Sequence, residues 1–133
     1  MGLARVQKQI LLWEKAYKTL SSVFEGQTEL SELEKDGVIQ RLEYNVELWW
    51  KTLKQILLLE ELEFTPSPRE VIRQSFKMWF IRKLDLWEEF LDIRNQMSHV
   101  YSEYYSDNNF DFISLNHKEI AKTIKILKIK YID

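Results

Sequence analysis

Residues 38 to 56 read Val38-Ile39-Gln40-Arg41-Leu42-Glu43-Tyr44-Asn45-Val46-Glu47-Leu48-Trp49-Trp50-Lys51-Thr52-Leu53-Lys54-Gln55-Ile56. Within this stretch Val38, Leu42, Val46, Trp49, Leu53 and Ile56 are separated by alternating fours and threes. At about 100° per residue that spacing gathers them on one stripe of a helix. A strand would need alternation with period two, which the stretch lacks. Trp49 and Trp50 are neighbours, so one of them must turn away from the core, towards solvent or a subunit interface. The helix starts between Ser31 and Asp36: Ser31 with Glu34 can form a capping box, and Asp36 before Gly37 is a competing start. It runs out near Glu61.

The same periodicity extends in both directions. Val6, Ile10, Trp13, Tyr17, Leu20 and Phe24 form an N-terminal stripe, closed by Gly26 as a C-terminal cap. On the other side, Thr65-Pro66-Ser67-Pro68-Arg69-Glu70 is clear punctuation, with Ser67 able to cap and Pro68 suited to the first helical position. A third helix follows, with Ile72, Phe76 and either Trp79 or Phe80 inward. Asp85 with Glu88 repeats the capping signal and opens a fourth helix to about Tyr101, its core stripe Leu86, Phe90, Ile93, Met97 and Val100. Ser106 to Asn109 reads as a polar break within an irregular stretch from 104 to 116. A short fifth helix from about Asn116 carries Ile120, Ile124, Leu127 and Tyr131. The expected class is therefore all-α: an antiparallel up-and-down four-helix bundle with a short additional C-terminal helix, forming one domain over residues 1–133.

Composition sets the bounds. A chain of 133 residues with 45% hydrophobic and 14% aromatic residues has room for one sizeable core and not for two. Without cysteine there are no disulfides, thiolate nucleophiles or Cys-type zinc sites, which fits a reducing cytoplasm. The longest aliphatic run, Ile56 to Leu59, is too short to span a membrane. Arg5, Lys8, Glu14 and Lys15 interrupt any signal-peptide core, and Val6 stands where a myristoylation signal wants Ser or Thr. A soluble cytoplasmic protein without membrane contact is the expectation. The net charge of -2 gives no global attraction for nucleic acid, so any RNA contact must come from a local patch. His99 and His117 are the only histidines and neither sits in a ligand cluster. Glycine-rich phosphate loops, GxSxG and HExxH are lacking, so neither a metal nor a cofactor is expected.

Chemistry concentrates in Arg94-Asn95-Gln96-Met97-Ser98-His99-Val100-Tyr101. Arg94, Ser98 and Tyr101 share a stripe at the edge of the core, while Asn95 and His99, four apart, face away from it. Arg94 and His99 lie about 140° apart on an ideal helix, so one regular helix does not aim both at one small target. A distortion near the helix end, or a dimer in which two copies face each other, would do so, and two-fold pairing is the commonest oligomer. Histidine moves protons near neutrality, and arginine stabilises a phosphorane-like charge. Together they suit metal-independent RNA cleavage by the 2′-hydroxyl: His99 for the proton, Arg94 for the phosphate, Asn95 to orient either. On spacing alone, Arg94 paired with Asp92 or Glu89 and a decorative His99 stays open as the plainer alternative.

At these residues the chain resembles a known family. Arg94-x4-His99-x-Tyr101 looks like the Arg-x4-6-His motif, with trailing tyrosine, of the HEPN superfamily. Within it the chain is most similar to the nucleotidyltransferase substrate-binding proteins, through Asp36-Gly37-Val38-Ile39-Gln40-Arg41-Leu42-Glu43, Glu47-Leu48-Trp49-Trp50-Lys51-Thr52-Leu53-Lys54 and Ser67-Pro68-Arg69-Glu70-Val71-Ile72. The resemblance implies a four-helix bundle, a homodimer, and a minimal nucleotidyltransferase encoded nearby as partner. It carries two functions. One is a toxin–antitoxin-like pair, in which Arg94 and His99 form the endoribonuclease centre and the transferase adds AMP to Tyr101. The other is a non-catalytic subunit that presents substrate to the transferase. The chain departs from the family at Trp49, where a small residue is common, at Ser102, and over 104–116, where Tyr104 and Tyr105 offer further hydroxyls.

Lys118, Lys122, Lys125 and Lys128 recur along the last helix, as a solvated face or as a phosphate-tracking patch for RNA, with Lys118, Lys122 and Lys125 the expected contacts. Arg41 and Glu43 read as a structural ion-pair region and Arg69 as a first-turn surface residue.

Overall fold

The computed structural model describes residues 2–26, 29–97 and 107–133. Among them the chain forms six helices and no strand: α1 (Gly2–Phe24), α2 (Glu32–Leu59), α3 (Pro68–Lys77), α4 (Leu84–Met97), α5 (Asp107–Asn116) and α6 (Lys118–Tyr131). No helix of the described residues is long and apolar enough to cross a membrane.

Ser31 settles where α2 begins. Its hydroxyl accepts from the Glu34 amide at 3.1 Å, and its own amide donates to Glu34 Oε1 at 2.9 Å, so two orphan donors of the helix start are satisfied together. Val38, Leu42, Val46, Trp49, Leu53 and Ile56 are all fully buried. Of the tryptophan pair, Trp49 turns inward and Trp50 stays half-buried with the Lys54 ammonium 5.6 Å from its ring centroid. In α1, Val6, Ile10, Trp13, Tyr17 and Leu20 are buried. After α1, Gly26 takes a φ of 69°, the left-handed conformation that ends helices without a Cβ penalty.

Two other helices end the same way without glycine. After α2, Glu61 has φ 60°, with Leu62 N–H donating to Leu57 O and Glu61 N–H to Leu58 O, both at 3.0 Å. After α3, Trp79 has φ 67°, with Phe80 N–H donating to Ser75 O at 3.0 Å and Trp79 N–H to Phe76 O at 3.1 Å. Each is a Schellman closure. The second folds Phe80 back into the core and leaves Trp79 in solvent, 83% exposed. Phe76, expected inward, is exposed as well, because the buried face of α3 runs through Val71, Ile72 and Ser75 and Phe76 falls at its edge.

Three further expectations are corrected. Helix α4 opens at Leu84, so Asp85 lies in the first turn, where it complements the helix dipole, and is not the cap. Of the expected stripe of α4, the Met97 side chain and Val100 lie outside the described residues; Phe90 and Ile93 are buried and Leu86 is only half-buried, while Trp87 and Leu91 turn inward beside them. The reason is Trp87, whose ring packs 6.2 Å from Trp13 and 4.6 Å from Trp49. The stretch 107–116, expected irregular, is helix α5, with Phe110 and Ile113 buried.

Helix α1 packs on α2 and α6; α2 also packs on α3 and α4; α4 meets α3 and α5. Buried side chains from all six helices belong to one hydrophobic cluster. Arg69, expected as a plain surface residue, joins α3 to α4. It donates to Glu88 Oε2 at 2.9 Å and to Asp92 Oδ1 at 2.5 Å, and those two carboxylates, Asp92 foremost, hold its guanidinium more firmly protonated than usual.

Candidate functional site

Gln40, Glu43, Tyr44 and Glu47 are spaced three, four and seven apart from Gln40, so they share the face of α2 turned away from its core stripe. Arg94, in the last turn of α4, meets that face. Together the five residues line a cleft of about 510 Å³. Tyr44 presents its ring to solvent at 68% exposure. The Arg94 side chain is half-buried, and its Nε is fully buried with no hydrogen-bond partner. Asp92, the neighbour that could have neutralised Arg94, is taken by Arg69. Glu47 is engaged along its own helix by Lys51 at 3.1 Å.

The cleft thus combines a guanidinium with an unmet donor, two carboxylates and an exposed phenol. Such a set recognises groups that both donate and accept. It is poorly suited to a lone phosphate, because Glu43 and Glu47 oppose added negative charge beside Arg94. Asn95 is exposed on the adjoining face of α4, as expected. His99 and Tyr101 lie outside the described residues, as do Ser98, Ser102, Tyr104 and Tyr105.

The lysine row of α6 is divided. Lys118 is exposed. Lys122 pairs with the buried Glu119 at 2.7 Å. Lys125 lines a cleft of about 370 Å³ between α1 and α6, together with Lys18 and with Lys128, which pairs with Glu14 at 2.9 Å. Arg41 folds over Gly37, where a Cβ would stand 2.5 Å from its Nη1.

His117 received no role from its spacing, and the structure makes it a core residue. Its Nδ1 is hydrogen-bonded to the Tyr17 hydroxyl at 2.8 Å, and its ring stacks on Phe24 at 5.1 Å. Burial first, and the charge of Lys118 second, push its pKa below the usual histidine value; burial raises that of Tyr17. The signal was present: Phe110, Ile113, His117, Ile120, Ile124, Leu127 and Tyr131 form one unbroken series of threes and fours. No group of three or more His, Cys, Asp or Glu residues able to hold a metal occurs among the described residues.

Compared with known families, residues 8–128 match the model described as "Nucleotidyltransferase substrate binding protein like". No curated protein matches the chain significantly.

Proposed function

Given that the chain belongs to the nucleotidyltransferase substrate binding protein-like family, we propose that it is the non-catalytic subunit of a nucleotidyltransferase, which it contacts through the Arg94 cleft. The observation that carries this reading is a half-buried Arg94, its Nε without a hydrogen-bond partner, set in one cleft with Glu43 and Glu47 of the facing helix. A charge-assisted hydrogen bond from its guanidinium to a polar group of a partner chain is worth roughly 1.5–3 kcal/mol. The wider architecture belongs to the same proposal: an antiparallel bundle of the HEPN type, one domain, paired as a homodimer in the cytoplasm.

The test is capture of the transferase encoded beside this chain. The native protein forms a stable complex, Arg94→Ala weakens it at least about tenfold, the loss of one charge-assisted contact, and RNA incubated with either protein stays intact. Unchanged affinity in Arg94→Ala would remove the cleft from the interface.

A second reading draws on the same arginine. Arg94 has no ion-pair partner among the described residues, so a metal-independent endoribonuclease of a toxin–antitoxin-like pair would use its guanidinium for the phosphate, against the opposing charge of Glu43 and Glu47. It assigns the proton to His99, orientation to Asn95, AMP acceptance to Tyr101 and RNA contacts to Lys118, Lys122 and Lys125. Cleavage of RNA without divalent metal, abolished by His99→Ala, together with growth arrest on expression, selects this reading over the first.

A further inference from the structure

Helices α1 and α6 together carry nine cations against two carboxylates, which leaves ten against nineteen for the rest of a chain whose net charge is -2. Lys8, Leu11, Lys15 and Lys18 follow one another by threes and fours along α1, as do Lys118, Lys122, Lys125 and Ile129 along α6, and all eight are exposed. Each series is one stripe of its helix. Between the helices runs a trough of about 370 Å³, with Tyr17, Ala121 and Ile124 in its lining. Gln7 of α1 meets Tyr131, Glu14 meets Lys128, and Tyr17 meets His117 just before α6. Leu11 and Ile129, 49% and 60% exposed, therefore share one end of the trough, while Lys15, Lys18, Lys118 and Lys125 lie towards the other. Among the described residues these four lysines and Lys8 pair with no carboxylate, whereas Lys122 and Lys128 are held by Glu119 and Glu14.

These features restrict the occupant. Unpaired lysines on both rims call for an anionic partner, and the aliphatic lining calls for an apolar one. A nucleic acid meets only the first demand. Tyr17, the one ring in the lining, is buried and so offers no stacking face, and Glu14 and Asp133 line the trough against phosphates. A flat anionic membrane would touch the lysine rims and leave the floor uncovered. A helix meets both demands: it lies along two packed helices as a third, a narrow apolar ridge on the floor and carboxylates on either side reaching the lysine stripes. We propose that this trough docks an acidic amphipathic helix of a partner protein. It shares no lining residue with the Arg94 cleft, so it can be filled whether or not a transferase is bound there.

A synthetic peptide of about 18 residues, long enough to form a helix, tests this on the native protein. Its leucines recur by threes and fours along one face, and glutamates flank them on both sides. Fluorescence anisotropy reads binding and circular dichroism reads helix formation. The controls are a scrambled peptide of the same composition, a counterpart with lysine for glutamate, a single-stranded RNA oligonucleotide, and vesicles of phosphatidylcholine with phosphatidylserine. The acidic peptide binds and gains helix signal, and the lysine counterpart does not bind. The scrambled peptide binds at least about fivefold more weakly, for want of the apolar ridge. Lys18→Glu/Lys125→Glu weakens binding about tenfold or more, because like charges then face each other across the contact. Ile129→Ser weakens it about threefold or more. All three positions are exposed, so both variants keep the far-UV circular dichroism of the native chain. No binding of the acidic peptide at millimolar concentration, equal binding of the scrambled one, or undiminished binding by the double variant would each overturn the proposal. So would tighter binding of the oligonucleotide or of the vesicles than of the peptide.

Discussion

The imidazole of His117 is stacked on Phe24, bonded to the Tyr17 hydroxyl and followed by Lys118, so a positive charge there has little water and an unfavourable neighbour. The bond to Tyr17 survives in either protonation state, because the hydroxyl can accept as well as donate. What protonation costs is desolvation and repulsion. With the folded pKa below the unfolded one, the unfolded chain binds the extra proton first as pH falls. Stability is therefore full above the unfolded value near 6.5 and declines below it, until the folded histidine also titrates. The slope reaches at most about 1.4 kcal/mol per pH unit. Urea unfolding at pH 7.5 and 5.5 checks this: the native chain loses more stability between the two than His117→Gln, which has no proton to gain. Equal losses would place the acid sensitivity elsewhere.

The helix ends show how far residue patterns reach. Ser31 and Ser67 cap where a hydroxyl three residues before a glutamate predicts, and the stripes of α1 and α2 are buried nearly as their spacing dictates. The start of α5 escaped because Asp107, Asn108 and Asn109 read as a break, although the same residue types also open helices; the series through Phe110, Ile113 and His117 would have decided it. The rotation of α4 was not legible, since it depends on Trp87 filling the space between Trp13 and Trp49, a matter of three helices at once. Nor was the Arg94 cleft, whose carboxylates lie about fifty residues earlier in the chain. The left-handed residue after α3 is equally invisible in sequence, since tryptophan replaces the usual glycine. Trp79 holds φ 67° with its ring in water, so it bears a Cβ penalty with little burial in return. Trp79→Gly should therefore raise stability by roughly 0.5–1 kcal/mol, net of the greater freedom of unfolded glycine. The denaturation midpoint reads this directly; a fall would mean that the indole makes a stabilising contact.

Across the whole molecule, α6 ties together elements distant in the chain. Gln7 in α1 donates to the Tyr131 carbonyl at 2.8 Å, and Lys128 pairs with Glu14 of α1. The Tyr131 hydroxyl donates to Glu60 just beyond α2 at 2.6 Å; burial and that carboxylate keep the phenol protonated. Thr123 Oγ1 donates to the carbonyl of Phe80, the residue folded back by the turn after α3. Between these polar ties, Ile120, Ile124, Leu127 and Tyr131 are buried in the common cluster. Each large apolar side chain contributes about 1.5–3 kcal/mol, so the face of α6 is comparable with the roughly 5–15 kcal/mol that holds an entire domain together. Removing residues 118–133 should then not simply subtract one helix. Helix α1 would lose the neighbour that it meets through Gln7 and Glu14, and Phe80 would be left with an unpaired carbonyl. The truncated chain is expected to lose most of its helical circular dichroism at 25 °C. If instead it keeps the signal of α1 to α5 and unfolds cooperatively, the first five helices form a self-sufficient unit and α6 is an attachment to it.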